Sequence, residues 1–355
     1  MEGKMKALRQ YGPYDNRLEE IDIPKIGPKG MLLKVSACGI CAGDVKAYHG
    51  GIRIWGTSEA NRYIEPPVTG GHEFFGEIVE LGEERTDFQV GDRVVVEQIV
   101  PCWDCEFCKK GKYWMCKGSA VYGFKQHAQG GFAEYISVHE NSIVHKVPDS
   151  FTLEQGALVE PIACGMHALE MADIQHDDIV IIAGLGAIGT SMVNMAKLRL
   201  PKILIGLDVK EARLKKGLEY GADYTLNPMD PDFEQKIMEI TGGHGCDVYV
   251  EASGSQASVN QGLNFLCNHG RYVQMGVFAQ EVKADWNVIG DGKELTIKGS
   301  HLSALTFKSV IDGISSGLIK TEGLVTHKFA LDDWQKGFEV AEGIDDALKV
   351  ILVNE

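Results

Sequence analysis

The chain of 355 residues is long enough for two domains of ordinary size, and its 44% apolar and 24% charged residues are those of a globular protein. Lys and Arg number 35 against 50 Asp and Glu, a net charge of −15 that weighs against nucleic-acid and anionic-membrane partners. The opening MEGKMKALRQ lacks the apolar core of a signal peptide, and no apolar run approaches the ~18 residues of a membrane helix, so a cytoplasmic protein is expected.

Up to about Ser150 the chain reads as short strands and turns: MLLKVSAC, FFGEIVELG and GDRVVVEQIV are β-rich runs bounded by Gly and Asp. Within ACGICAGDVKAYHGG, residues 37–51, Cys38 and Cys41 stand three apart. Alone, that spacing fits a redox pair, half of a structural zinc site, or two unrelated thiols. PCWDCEFCKKGKYWMC is more specific, since Cys102, Cys105, Cys108 and Cys116 run C-x2-C-x2-C-x7-C. Four thiolates complete the tetrahedral preference of Zn²⁺ and leave no open position, which defines a structural site. An iron–sulfur cluster is the lesser alternative for four cysteines.

From about Leu158 to Ser300 strands alternate with helices. DIVIIAGLG precedes the helical AIGTSMVNMAKLR, KILIGLDV precedes KEARLKKGLEYG, and CDVYVEASG and GRYVQMGV supply later strands. Such alternation builds a doubly wound parallel sheet, an α/β domain. Between its first strand and helix, Gly184, Gly186 and Gly189 form G-x-G-x-x-G, with Ile188 inside the pattern. The glycines permit a tight turn, close approach of a pyrophosphate and close packing of helix on strand, and the helix N-terminus offers free N–H groups. Asp208, nineteen residues past Gly189, ends the next strand, with Arg213 following. A carboxylate there accepts from ribose hydroxyls and repels a 2′-phosphate, which favours NAD over NADP. Residues 302–355 mix helix and strand and close on the strand-like ALKVILVNE.

Hydride transfer to NAD needs a group that stabilises an alkoxide, and a second zinc with an open position would supply it. Outside the four-cysteine segment the ligand types available are Cys38 or Cys41, His72 and Glu73 of GGHEFFGEIVELGE, and Glu160 of ALVEPIACG.

With GHE, the four cysteines, VEP and the glycine fingerprint in this order, the whole chain resembles the zinc-dependent medium-chain dehydrogenases/reductases. The resemblance implies a GroES-like β-rich catalytic domain over 1–160, a Rossmann NAD-binding domain over 161–300, and a return to the catalytic domain over 301–355. It further implies two zinc ions per chain and a homodimer or homotetramer. GICAGD matches the family's first ligand segment, which makes Cys41 the ligand, leaves Cys38 as a packing residue, and gives Asp44 the part of orienting the ligand His72. Glu73 and Glu160 resemble the ligand set of the sorbitol-type polyol branch, one binding metal and the other its water, in an order the resemblance does not rank.

Three positions depart from the family pattern: Gly43 replaces a relay serine, Lys46 a histidine, and Arg85 a small apolar residue. The first two leave Glu73 or Glu160 as the base, through a water, with Lys46, Tyr48 and His49 as weaker candidates. The insert YHGGIRIWGTSEANRYIEPPVTG carries Arg53, Trp55, Asn61, Arg62 and Tyr63, polar groups suited to a substrate with several hydroxyls. GGIRIWGT and ADWNVIGDGKELTIKGSHLS resemble the tetritol-oxidising members of the polyol branch. The expected activity is therefore NAD-dependent oxidation of a secondary hydroxyl of a short polyol to a ketose. The competing readings are a threonine-type dehydrogenase of the same family and a silent nucleotide-binding or structural protein.

Overall fold

The computed structural model describes residues 1–343 and 347–354. Its contacts divide the chain into two compact units, one of residues 1–160, 307–315 and 321–355, the other of 161–306 and 316–320. The boundary falls between Glu160 and Pro161, inside the helix Leu153–Ala172.

The first unit is β-rich. Its main sheet is built on the strand Met31–Ile40, which pairs antiparallel with Glu73–Leu81 and, on its other side, with Lys349–Val353. The strand read at ALKVILVNE thus pairs with the N-terminal sheet, the return that the family resemblance implies, although 301–306 and 316–320 of the segment 301–355 belong to the second unit. Residues such as Leu33, Val35, Phe74, Ile78 and Leu352 alternate into a common core, and the period of two fixes the strand register, because a slip of one residue would turn them outward. Cys38 belongs to this core at 1% exposure, and burial pushes its thiol well above the ordinary cysteine range. Its fate is packing. Any pairing with Cys41 as a redox couple is absent from the described structure, where both cysteines are free.

The second unit holds a six-stranded parallel sheet. Four of its strands are those read from the sequence; Tyr224–Leu226 and Thr296–Gly299 are added at the two edges, where short and polar segments give little hydrophobic signal. The strand Ile179–Ala183 is fully buried and passes directly into the helix Ala187–Lys197. The helix Glu211–Tyr220 ends on Gly221 at φ 112°, a left-handed cap that glycine adopts without steric cost. Among the described residues no helix is long and apolar enough to cross a membrane.

Candidate active site

Cys41 closes the central strand of the first unit and caps the short helix Ala42–Tyr48. Its thiol accepts the Gly43 N–H at 3.3 Å, and Asp44 Oδ2 reaches back to accept the Cys41 N–H at 2.9 Å. This reciprocal cap satisfies two otherwise orphaned helix donors and fixes the sulfur's direction. The other oxygen of Asp44 lies 3.6 Å from His72 Nδ1, with both side chains buried. Burial opposes a charge on His72, but the Asp44 carboxylate and the neighbouring Cys41 outweigh it and hold the imidazole well above its ordinary range. The placement of Asp44 agrees with an orienting part for it.

Cys41, His72 and Glu73 bring a sulfur, a nitrogen and a carboxylate oxygen within 4.8 Å of one another. The donor set of thiol, imidazole and carboxylate so gathered is one that Zn²⁺ accepts. The residues therefore fit a metal. Glu160, also buried at 7% exposure, lies outside that group of three.

Lys349, which carries no motif, is the residue that sequence reasoning missed. Its Nζ donates to both oxygens of Glu73 at 2.7 Å and to the Ile40 carbonyl at 3.2 Å, with Lys349 6% and Glu73 1% exposed. Burial pulls the ammonium down, but Glu73, Cys41 and Glu160 together keep it above the usual lysine range. The register explains the encounter. Glu73 pairs with Gly39 on one side of the central strand, while Val350 pairs with Ile40 on the other, bringing Lys349 beside Cys41. A β-carbon at Gly39 would collide with the Glu73 carboxylate, so the missing side chain at Gly39 is what lets the acid reach the base. A lysine at the head of an otherwise apolar closing strand was the one signal available.

Gly43 leaves room for a side chain: a β-carbon there would meet Cys41 Sγ at 3.7 Å and His72 Cε1 at 3.9 Å, both ordinary contacts. The absence of a hydroxyl at this position is not imposed by packing. Two of the weaker proton-relay candidates are committed elsewhere. Tyr48 stands edge-on to Trp334 and Phe338, and His49 pairs with Glu342 at 2.7 Å on the surface. Lys46 sits in the last turn of the same helix.

The insert divides similarly. Trp55 gives its one donor to the Ala47 carbonyl at 2.7 Å and packs beside Ile64, Val68 and Phe124. Asn61 ties its own loop by accepting from Thr57 and Ser58 N–H, Arg62 lies within 4.0 Å of Glu59, and Arg53 is exposed. Tyr63 is linked to His72 through a ring, since Phe124 stands 5.7 Å from both. Lys125 lies over the Tyr63 ring at 4.7 Å and pairs with Glu65.

The four lobe cysteines gather their sulfurs within 4.8 Å of one another. Backbone N–H groups, that of Cys108 foremost, hold the Cys105 thiol down at about 6, whereas burial pushes Cys108 up to about 12. Four sulfurs so grouped, with main-chain donors aimed at them, fit a tetrahedral ion.

In the second unit Gly184 takes φ +98°, and a β-carbon there would press on Ser253 N at 2.8 Å. One at Gly189 would collide with the Gly184 carbonyl, while one at Gly186 would enter open space. The first and third glycines therefore serve packing, and the second leaves the helix N-terminus clear for a phosphate. Ile188 lies in the first turn of that helix. Asp208 accepts the Leu185 N–H at 2.8 Å and the Lys210 N–H at 3.0 Å, and Arg213 Nη1 lies 3.7 Å from it. The carboxylate is thereby anchored beside the glycine-rich turn.

This chain belongs to the zinc-binding alcohol dehydrogenase family: residues 27–149 match the alcohol dehydrogenase GroES-like domain and residues 187–316 the zinc-binding dehydrogenase domain. It is an oxidoreductase of the dehydrogenase class, with GroES-like and Rossmann-like parts. Among its relatives is the erythritol/L-threitol dehydrogenase of Mycolicibacterium smegmatis, 42% identical over 353 residues and covering 99% of this chain and 98% of that one. Solved structures of the same shape include a zinc-binding dehydrogenase of Sinorhizobium meliloti bound to NADP, with TM-score 0.89, 27% identity, and 99% and 100% of the two chains covered. Another is an alcohol dehydrogenase from E. coli complexed with NADH, with TM-score 0.88, 30% identity and 99% of each chain covered. Neighbours of this fold thus hold either cofactor.

Proposed function

We propose that this protein oxidises a secondary hydroxyl of a short polyol, a tetritol of the erythritol or L-threitol kind, to the ketose, with NAD as hydride acceptor. The observation that carries this is the buried group of Cys41, His72 and Glu73, with the further buried carboxylate of Glu160: an acid-rich donor set suited to a substrate bearing several hydroxyls. The relative that oxidises erythritol and L-threitol supports the substrate class.

Cys41, His72 and Glu73 would hold a catalytic zinc, and Cys102, Cys105, Cys108 and Cys116 a structural one, two ions per chain. When bound, the catalytic ion supplies Lewis-acid chemistry, which lowers the pKa of a bound hydroxyl as it lowers that of water from 15.7 to about 7. Asp44 holds the His72 ring in its ligating direction. Lys349 compensates the charge of Glu73 and engages both of its oxygens, so the proton leaving the substrate hydroxyl is assigned to Glu160, through a water. NAD held at the glycine-rich turn would accept the hydride of the substrate carbon, so that the alcohol becomes a ketone, NAD becomes NADH and one proton goes to solvent. A cytoplasmic homodimer or homotetramer goes with this reading through the family resemblance.

The choice of NAD rests on Asp208, whose anchored carboxylate would face a 2′-phosphate with like charge. Replacing it, Asp208→Ser, is expected to raise kcat/KM with NADP relative to NAD by about 10²-fold, the order of one removed charge repulsion. An unchanged cofactor ratio would overturn the assignment. The substrate reading is tested by initial rates on tetritols, pentitols, hexitols, threonine and simple alcohols, each with NAD and NADP. Tetritols with NAD are expected to lead; a preference for threonine would transfer the protein to the amino-alcohol branch.

A further inference from the structure

The second unit carries another mixed cluster, at the end of its parallel sheet remote from the glycine-rich turn. His244, Asp247 and Cys267 bring one nitrogen, one oxygen and one sulfur within 4.8 Å of one another. The chemistry matches that of Cys41, His72 and Glu73, yet no motif announces it, because its members come from a loop and the starts of two strands.

Each member is positioned by the backbone. Asp247 lies on the strand Cys246–Glu251, and its Oδ2 accepts the Ile179 N–H at 2.7 Å, which leaves Oδ1 turned toward the other two. His244 Nε2 lies 3.0 Å from that oxygen, and the Cys267 thiol donates to it at 3.5 Å. The loop before the strand is shaped by Gly242, Gly243 and Gly245, all at positive φ. A β-carbon on Gly245 would collide with the Phe265 carbonyl, so the loop lies directly against the chain leading to Cys267. The His244 side chain is half exposed, whereas Asp247 and Cys267 are partly covered, giving a shallow cup with a solvent-facing entrance.

Two readings of such a trio differ in chemistry. A nucleophilic cysteine needs a neighbouring base or cation to form its thiolate. Here the thiol donates to the Asp247 carboxylate and to the Asn268 carbonyl at 3.4 Å, His244 Nε2 is engaged with the same carboxylate and not with the sulfur, and burial followed by the Asp247 charge pushes Cys267 up to about 11. A divalent cation reverses that relation, since it draws the carboxylate, imidazole and thiolate toward one centre. The mixture of sulfur, nitrogen and one oxygen suits a thiophilic borderline ion and not Mg²⁺ or Ca²⁺, which take oxygen donors.

We propose that His244, Asp247 and Cys267 form a peripheral Zn²⁺ site, with water completing the coordination. On binding, the thiol proton is released to solvent and the imidazole keeps its proton on Nδ1, leaving Nε2 to the metal. Asp247 and Glu251 mark opposite ends of one strand, and Glu251 pairs with Ala183, the residue before Gly184. Four residue-to-residue steps of strand separate them, roughly 13 Å. The ion therefore ties the 241–245 loop to two strands at the end of the sheet remote from the glycine-rich turn, and takes no part in hydride transfer.

The test is equilibrium dialysis of the full-length enzyme against buffered Zn²⁺, followed by elemental analysis, for wild type, His244→Ala and Cys267→Ser. At saturation wild type is expected to hold one Zn²⁺ per chain more than either variant, with kcat of all three within twofold. Because the readout is a difference, it stands whatever the occupancy of the other two sites and whatever the substrate. His244 is exposed, so its variant separates metal loss from misfolding. Equal zinc content in wild type and His244→Ala, or an extra ion retained by both variants, would overturn the proposal.

Discussion

Replacing Cys41 by alanine is expected to lower kcat/KM by about 10³-fold or more. Polarisation of a substrate oxygen by a metal is worth several kcal/mol of transition-state stabilisation, and each 1.36 kcal/mol is a factor of ten in rate. The thiol also accepts the Gly43 N–H, so its loss leaves one helix donor uncapped, while the Cys41 N–H that aims Asp44 is kept. The glycine-rich turn and Asp208 belong to the other compact unit, and NAD affinity should be unchanged. Fluorescence titration with NADH, paired with steady-state rates, checks both halves. Turnover within tenfold of wild type would remove Cys41 from the metal site.

Lys349→Met should carry the largest cost in stability. It leaves the Glu73 carboxylate, 1% exposed, without the cation that both its oxygens engage. Breaking a buried pair from one side costs about 3–5 kcal/mol, because an uncompensated charge stays behind. In a unit of this size that corresponds to a fall in Tm on the order of 10 °C. The double variant Lys349→Met with Glu73→Gln removes the stranded charge and should regain most of the loss. Calorimetry on the metal-free proteins, where no ion compensates Glu73, distinguishes the outcomes: a single variant as stable as wild type would mean that Lys349 does not compensate Glu73.

These two residues also mark the boundary of what the sequence makes legible. Cys41, His72, the four lobe cysteines and the glycine fingerprint are local patterns whose spacing is tied to their chemistry, and the structure brings each set together. The Glu73–Lys349 pair spans 276 residues of chain. It exists because two strands flank a third in a particular register, with a glycine at the crossing point. No local period encodes that. The insert reads differently in the fold: Arg53, Trp55 and Asn61 have the composition of hydroxyl readers, Trp55 and Asn61 spend polar groups within the chain, and Tyr63 is linked through Phe124 to His72. The edge strands of the parallel sheet escaped notice for a simpler reason, since edge segments are short and half polar and carry little of the apolar signal that marks the central ones.

The polyol assignment is tested most directly by the ratio of kcat/KM for erythritol or L-threitol to that for ethanol, measured with NAD. On the proposed reading the tetritol should lead by about 10²-fold or more, since in a site that takes several hydroxyls a substrate lacking them leaves polar groups unmatched. A ratio at or below one, with turnover confined to simple alcohols, would contradict the account.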